Sequence, residues 1–89
     1  MTRDPAALRA LLVASVRQNP IAQPRDPALL DRLDDPSVDA GFDALGFDSL
    51  ARMELCIWMQ LEAGIELRES DLIDHPSIAA LAAHLATRD

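Results

Sequence analysis

Residues 49–62 constrain the fold of this chain more than any other segment. They contain neither proline nor glycine and are rich in Leu, Met, Ala and Glu, which predicts an unbroken α-helix. At about 100° per residue, one side of this helix carries Leu55, Cys56 and Met59. The opposite side carries Leu50, Met53, Ile57 and Leu61. Since a helix in a small domain buries a single stripe, we expect one set in the core and the other exposed.

The length and composition of the chain favour a single helical domain. Its 89 residues can bury only a modest core, and just 3% of them are aromatic, with no Tyr. Ala and Leu dominate, and β-branched residues are few. We therefore expect one all-α domain over residues 1–89, without a sheet.

Local signals place the other elements. A first helix is predicted over residues 4–17, with Asp4 as its cap, Pro5 at its first position and Asn19-Pro20 at its end. A long connection rich in proline runs from there to Gly46. A connection of that length is seldom without structure, and a short helix is predicted over residues 26–33.

The second half of the chain predicts two further helical segments. Gly64 is a natural left-handed stop for the long helix. Residues 70–73 predict one helical turn, with Leu72 and Ile73 both pointing inward, and Ser77 is expected to cap a last helix that ends near Ala86. The complete pattern predicts a small four-helix bundle of three main helices and one short helix, with a long structured first loop.

The charge of the chain limits its partners. A net charge of −7 and a pI of about 4.5 disfavour binding to nucleic acid and anionic lipid and favour binding to basic patches on other proteins.

No apolar run reaches membrane-spanning length, and the N-terminal residues lack the pattern of an export signal. With the single Cys56, these features predict a cytoplasmic protein. The initial methionine and an end just past the last helix predict a free-standing protein.

Little in the sequence favours catalysis. Cys56 lies among apolar neighbours in mid-helix, which predicts an inert thiol. His75 and His84 have no partners at zinc-binding spacing, so no metal site is expected. No Ser, His and Asp arrangement and no glycine-rich phosphate loop can be proposed. We therefore expect a protein without catalytic residues.

The segment Leu45-Gly46-Phe47-Asp48-Ser49-Leu50 offers a serine to chemistry. Ser49 falls in the first turn of the long helix, where free N–H groups and the helix dipole favour an anion such as a phosphate ester. Asp48 could hold a divalent cation during phosphoryl transfer. The simpler alternative is that Asp48 or Ser49 only caps the helix.

Three blocks of sequence decide between these alternatives. LGFDSLARMEL, the short segment around Glu69 to Leu72, and DHPSIAALAAHL together resemble the acyl carrier protein family, most closely the carriers of polyketide synthases. The resemblance covers about residues 42–86. It implies that Ser49 is esterified with 4′-phosphopantetheine, whose thiol carries an acyl group as a thioester. With Ser49 in that role, the Asp48 carboxylate is expected to serve metal binding and transferase recognition during attachment.

The resemblance further implies which proteins this chain binds. The expected partners are a phosphopantetheinyl transferase and the acyltransferase, ligase or synthase enzymes of a polyketide or hybrid polyketide/nonribosomal peptide pathway, with the carrier itself a monomer. Leu55 and Met59 should be buried, and the partner surface should comprise Phe47, Leu50, Met53, Glu54, Ile57 and Trp58. Alternatively, Leu29, Leu30 and Leu33 of the long loop cover that surface.

Two alternatives to an acyl carrier stay open at this point. The chain could be an unmodified helical interaction module of the same fold. It could also be a carrier of aminoacyl cargo, since nothing in the sequence determines the cargo.

Overall fold

The computed structural model describes residues 4–88 as a set of five helices around one core. They are α1 (Pro5–Gln18), α2 (Ala28–Arg32), α3 (Ser49–Ala63), α4 (Glu69–Asp74) and α5 (Ile78–Ala86). Between residues 4 and 88 there is no β-strand, only an isolated bridge that joins Gly41 and Ser77. The all-α fold with three main helices is therefore confirmed. Residues 1–3 and 89 of the predicted domain lie outside the described residues.

Capping side chains define the ends of the helices. Asp4 Oδ1 accepts a hydrogen bond from the Ala6 N–H at 3.1 Å, and Ser77 Oγ accepts one from the Ala80 N–H at 3.1 Å. Gly64 ends α3 in the left-handed conformation, at φ +65°. These three predicted boundaries are confirmed, since each residue satisfies backbone groups that a helix end leaves free.

The core lies where α1 packs against α3 and α5. The buried face of α3 consists of Ala51, Leu55 and Met59, and none of the three retains any exposed area. They meet the buried apolar side chains of α1 and α5, which are Leu8, Leu12, Val13, Val16, Ile78, Leu81, Ala82, Leu85 and Ala86. The predicted core side of α3 is therefore correct.

One predicted core residue is on the surface. Leu72 of α4 is buried, but Ile73 is 60% exposed, so the prediction that both point inward is wrong. Consecutive residues of a helix are rotated by about 100°. A single-sided helix such as α4 can therefore direct only one of the two toward the core.

Two arginines of α1 hold the long connection between α1 and α3. Arg9 Nη2 donates to three backbone carbonyl oxygens, those of Leu33 at 3.1 Å, Asp35 at 3.1 Å and Val38 at 2.6 Å. Arg17 Nη2 donates to the Leu30 carbonyl at 2.7 Å and to the Asp34 carboxylate at 2.8 Å. These bonds join α1 to backbone carbonyls at and beyond the end of α2 and so fix that part of the connection.

The leucines of this connection face inward. Leu33 is buried, and Leu29 and Leu30 are partly buried against the core. They pack on the main body of the domain and leave Leu50 and Met53 of α3 exposed. The alternative in which these leucines cover the apolar surface of α3 is therefore wrong.

The last part of the connection is joined to α5. The Phe42 N–H donates to the Pro76 carbonyl at 2.9 Å, and the Ile78 N–H donates to the Ala40 carbonyl at 3.0 Å. These two bonds flank the isolated bridge and fix the chain just before the turn that leads into α3.

Between residues 4 and 88, the structure contains no helix with the length and apolar character needed to cross a membrane.

Gly46 is the point at which the connection and that turn come closest. It has φ +78°, and a Cβ atom at this position would lie 1.9 Å from the Gln23 carbonyl oxygen. Glycine is required here for two reasons, the left-handed conformation and the absence of a side chain. Gly64 shares only the first reason, because no atom lies within 4 Å of its Cβ position.

The two glycines give a matched test of this contact. Both Gly46→Ala and Gly64→Ala place an L-residue at positive φ, at a cost of roughly 1–2 kcal/mol. Gly46→Ala should lower the free energy of unfolding by about 1–3 kcal/mol more, because the Gln23 backbone must move. Urea unfolding followed by circular dichroism measures the difference. Equal losses in the two variants would contradict the close contact.

Candidate functional site

Two buried side chains anchor the turn before α3. Leu45 is fully buried, and Phe47 is 7% exposed with its ring 5.2 Å from that of Phe42. The Phe47 N–H also donates to the Phe42 carbonyl at 3.0 Å, which closes the turn. With Leu45 and Phe47 directed inward on either side of Gly46, the next residues of the chain emerge at the surface.

Phe47 is therefore misplaced in the predicted partner surface. Its ring belongs to the core, so the prediction that it contacts partners is wrong. The reason is that the turn needs an apolar anchor immediately before the helix. Sequence spacing does not reveal that need, because the direction of a side chain in a tight turn depends on the backbone conformation at Gly46.

Asp48 is the N-cap of α3. Its Oδ1 accepts a hydrogen bond from the Ala51 N–H at 2.8 Å, and its carbonyl accepts one from the Arg52 N–H at 3.0 Å. The residue is exposed, and the cap does not use Oδ2. Of the two predicted capping residues, the structure thus selects Asp48. One carboxylate oxygen is left for another ligand.

Ser49 occupies the first position of α3 and is exposed. Among the hydrogen bonds within residues 4–88, none engages its hydroxyl, because Asp48 already serves as the cap. The hydroxyl therefore stands free at the positive end of a 15-residue helix. A phosphate ester on Ser49 Oγ would be stabilised there by the helix dipole and the first N–H groups. The site thus fits a phosphate-linked group.

The exposed side of α3 is apolar. Leu50 is 58% exposed, Met53 54%, Ile57 44% and Leu61 77%, and we call these four residues the apolar stripe. Their spacing of three and four residues places them in one row that begins next to Ser49. Large apolar side chains exposed in such a row mark interaction surfaces when they form a continuous patch. The predicted exposure of Leu50, Met53 and Ile57 is confirmed.

Glu54 and Trp58 differ from the apolar stripe. Both are partly exposed, but the Trp58 ring packs against the core and its Nε1 donates to Gln18 Oε1 of α1 at 3.2 Å. Trp58 therefore links α3 to α1 and is not a free side chain. Glu54 lies beside the stripe and adds negative charge there.

Contacts near Ser49 that the sequence analysis missed fix the first turns of α3. Arg52 Nε and Nη2 both donate to Glu69 Oε1 of α4, at 3.2 and 3.0 Å. Asn19 donates from Nδ2 to the Ala51 carbonyl at 2.9 Å. The spacing of 32 residues between Asn19 and Ala51 carries no periodic signal. The sequence therefore predicts only a helix end at Asn19.

The remaining titratable groups do not form a metal site. Among residues 4–88, no group of three or more His, Cys, Asp or Glu side chains is arranged to bind a metal ion. The rings of His75 and His84 stack 4.0 Å apart, and His84 Nε2 lies 3.5 Å from Asp71 Oδ1. Burial, followed by the negative charges of Asp71 and Glu69, raises the pKa of the Cys56 thiol to about 11. Cys56 is therefore a thiol and not a thiolate at neutral pH.

Comparison with known proteins decides what the site is. The family model described as the phosphopantetheine attachment site matches residues 28–85. The chain belongs to this family. Its prosthetic group is accordingly 4′-phosphopantetheine, held covalently. The match begins at the first residue of α2, so it includes much of the long connection as well as α3, α4 and α5.

The similar proteins are polyketide synthases. The spectinabilin polyketide synthase system protein NorA′ of Streptomyces orinoci is 46% identical over 50 residues, or 56% of this chain. Polyketide synthase GfsB of Streptomyces halstedii is 39% identical over 54 residues, or 61% of this chain. Polyketide synthase GfsA of the same organism is 44% identical over 48 residues, or 54% of this chain. The aligned part is 1% of each relative. No solved structure gave a significant match. The resemblance to polyketide carriers is confirmed.

The raised pKa of Cys56 is open to a direct test. Alkylation by iodoacetamide requires the thiolate, so the native protein at pH 8 should react about a hundredfold more slowly than an ordinary thiol of pKa about 8.5. The rate should rise about tenfold per pH unit up to pH 10. The same protein unfolded in guanidinium chloride is the control. A native rate that levels off by pH 9 would contradict the assignment.

Proposed function

We propose that this chain is a carrier domain whose Ser49 is esterified with 4′-phosphopantetheine and which shuttles thioester-bound acyl intermediates between enzymes of a polyketide pathway. The observation that carries the proposal is the exposed, unengaged hydroxyl of Ser49 at the start of α3. The family of the domain supplies the identity of the group. The names of its relatives favour an acyl cargo over an aminoacyl one.

Attachment is a phosphoryl transfer to Ser49. The Ser49 oxygen bonds to the phosphorus next to the pantetheine of coenzyme A, the diphosphate bond breaks, and adenosine 3′,5′-bisphosphate leaves. The hydroxyl proton passes to a base on the transferase. The product is a phosphodiester that keeps one negative charge at the N-terminus of α3, where the helix dipole stabilises it.

Asp48 has two roles in this proposal. Its Oδ1 caps α3 through the Ala51 N–H, which fixes the turn that presents Ser49. Its Oδ2 takes no part in the cap and would be available to hold a magnesium ion during the transfer, since Mg²⁺ is held by one or two carboxylates plus phosphate oxygens. The cap contributes stability, whereas the second oxygen contributes only to the transfer.

The protein supplies position and recognition, and its partners supply catalysis. A thioester on a flexible arm fixed to Ser49 is presented to each docked enzyme at high effective concentration. Family domains of this kind are carriers. We therefore propose that the chain has no catalytic residues, acts as a monomeric domain in the cytoplasm and binds a phosphopantetheinyl transferase together with the acyltransferase, ligase or synthase enzymes of its pathway.

We propose Leu50, Met53 and Ile57 of the apolar stripe as the contact surface for these enzymes, with Leu61 extending it and Glu54 at its edge. The three side chains begin beside Ser49 and are each at least 44% exposed. Their burial on docking would bring a partner within reach of the prosthetic group. The net charge of −7 favours partners whose docking face is basic, which raises the rate of encounter.

Modification of Ser49 is the first test of the function. Incubation with coenzyme A, Mg²⁺ and a broad-specificity phosphopantetheinyl transferase should add one phosphopantetheine to the wild-type chain, as measured by intact mass. Ser49→Ala should abolish the addition without a loss of helix content. An unmodified wild-type chain beside a modified control carrier would favour the unmodified interaction module.

Variants of Asp48 separate its two roles within the same experiment. Asn caps a helix about as well as Asp, so Asp48→Asn should keep stability but slow the modification. Asp48→Ala should lower stability by about 1 kcal/mol as well. Asp4→Ala removes the cap of α1 and is the matched control that loses stability alone. Wild-type kinetics for Asp48→Asn would limit Asp48 to capping.

Charge placed on the apolar stripe tests the docking surface. In the phosphopantetheinylated protein, Met53→Arg and Ile57→Arg should weaken transfer of an acyl group from an acyltransferase that loads the wild-type protein. Both variants should change stability by less than about 1 kcal/mol, since the side chains are exposed.

Two further variants are controls for charge and burial. Ala83→Arg adds the same charge at an exposed residue of α5, on a different helix from the stripe, and should transfer normally. Leu55→Arg buries an unpaired charge in the core and should unfold the domain. Normal loading of both stripe variants would place the docking surface elsewhere.

A further inference from the structure

Asn19 and Gln23, at the start of the long connection, contact the backbone on both sides of Ser49. On one side the Gln23 backbone packs on Gly46, three residues before the serine, so closely that no Cβ atom fits between them. On the other side Asn19 binds the backbone of Ala51, two residues after it. The serine itself is exposed and its hydroxyl is unengaged, so the backbone of residues 46–51 fixes the position of the Cβ atom that carries Oγ.

Asn19 is the residue that makes this arrangement rigid. Its Oδ1 accepts hydrogen bonds from the Ile21 N–H at 3.0 Å and the Ala22 N–H at 3.1 Å, which folds residues 19–22 into a tight turn. Its Nδ2 donates to the Ala51 carbonyl at 2.9 Å. One side chain thus shapes the connection and joins it to α3.

Ala51 receives restraints from two directions. Its N–H donates to Asp48 Oδ1, and its carbonyl accepts from Asn19 Nδ2. The residue is fully buried. The end of a helix is the part that most readily frays. In α3 the third residue is held by two hydrogen bonds, one to Asp48 in the preceding turn and one to Asn19 in the long connection.

We propose that Asn19 is a positioning residue for the modification of Ser49, acting through the backbone of residues 46–51. The proposal rests on the function proposed above. Transfer requires the Ser49 oxygen to be aligned with the phosphorus of the donor, and a small misalignment of reacting atoms reduces the rate strongly. Because the hydrogen bonds of Asn19 are to the backbone of Ile21, Ala22 and Ala51 and not to the apolar stripe, its loss should lower kcat for modification and leave the KM for the carrier nearly unchanged.

Two substitutions at Asn19 separate its bonds. Asn19→Asp keeps the acceptor for Ile21 and Ala22 but replaces the donor to Ala51 with a carboxylate oxygen, which cannot donate and repels the Ala51 carbonyl. Asn19→Ala removes all three bonds without adding a charge. Both should lower kcat with the phosphopantetheinyl transferase by roughly three- to tenfold, the range expected for the loss of one positioning hydrogen bond. Amide hydrogen exchange at residues 47–51 should become faster in both.

The neighbouring residue provides the matched control. Gln18→Ala breaks the hydrogen bond from Trp58, which also joins the end of α1 to α3, but it leaves Ala51 untouched. This variant should be modified at the wild-type rate. Alkylation of Cys56, on the next turn of α3, reports general loosening of the helix and should not change in the Asn19→Asp variant.

The outcomes distinguish this proposal from the one on which it rests. A wild-type chain that is not modified overturns both. A modified wild type with unchanged kcat for Asn19→Asp overturns the positioning role alone. So does an equal loss of kcat in Gln18→Ala, or a rise in Cys56 alkylation that matches the loss. If Asn19→Ala fails to fold, Asn19→Asp and its exchange at residues 47–51 still decide the question.

Discussion

Burial of one face of α3 is the constraint on which the rest of this structure depends. Ala51, Leu55 and Met59 have no exposed area, and they belong to the same small core cluster as the buried side chains of α1 and α5. Because a helix can turn only one face inward, this packing forces Leu50, Met53 and Ile57 outward. The exposed apolar stripe is thus a geometric consequence of the core.

Polar contacts stabilise the long connection between α1 and α3. Apart from the five residues of α2, the connection between α1 and α3 has no helix of its own. Arg9 binds three of its carbonyls, and Asn19 and Gly46 hold its first residues against the turn before Ser49. A long segment in a small domain must satisfy its backbone groups individually in this way, because it cannot form a regular ladder. In this domain, the same contacts reach the backbone on both sides of Ser49.

The site combines a rigid backbone with an unrestrained side chain. Phe47, Asp48 and Ala51 are held by the core, by the cap and by Asn19, while the Ser49 hydroxyl between them is free. The proposed role of Ser49 requires this combination, because the serine would have to be presented to different enzymes in one defined place. The prosthetic group then supplies the mobility that the backbone lacks.

The helices and the candidate serine could be predicted from local sequence patterns. Helix ends depend on local chemistry, and Asp4, Gly64 and Ser77 act within a few residues of themselves, so their roles can be inferred from neighbours in the chain. The two-sided apolar pattern of residues 49–62 likewise requires only the helical period. The identity of the core side came from the family resemblance.

Two features depend on how the elements pack together. They are the direction of side chains outside the long helices and the contacts between distant segments. Phe47 and Ile73 were both assigned to the wrong environment, because a tight turn and a short surface helix have no period long enough to reveal which side is buried. The bond from Asn19 to Ala51 spans 32 residues, and such a contact exists only after α1 and α3 have packed together. The spacing of residues predicts helices and the faces that their side chains share, because these depend on neighbouring residues. Contacts between distant segments depend on how the elements pack.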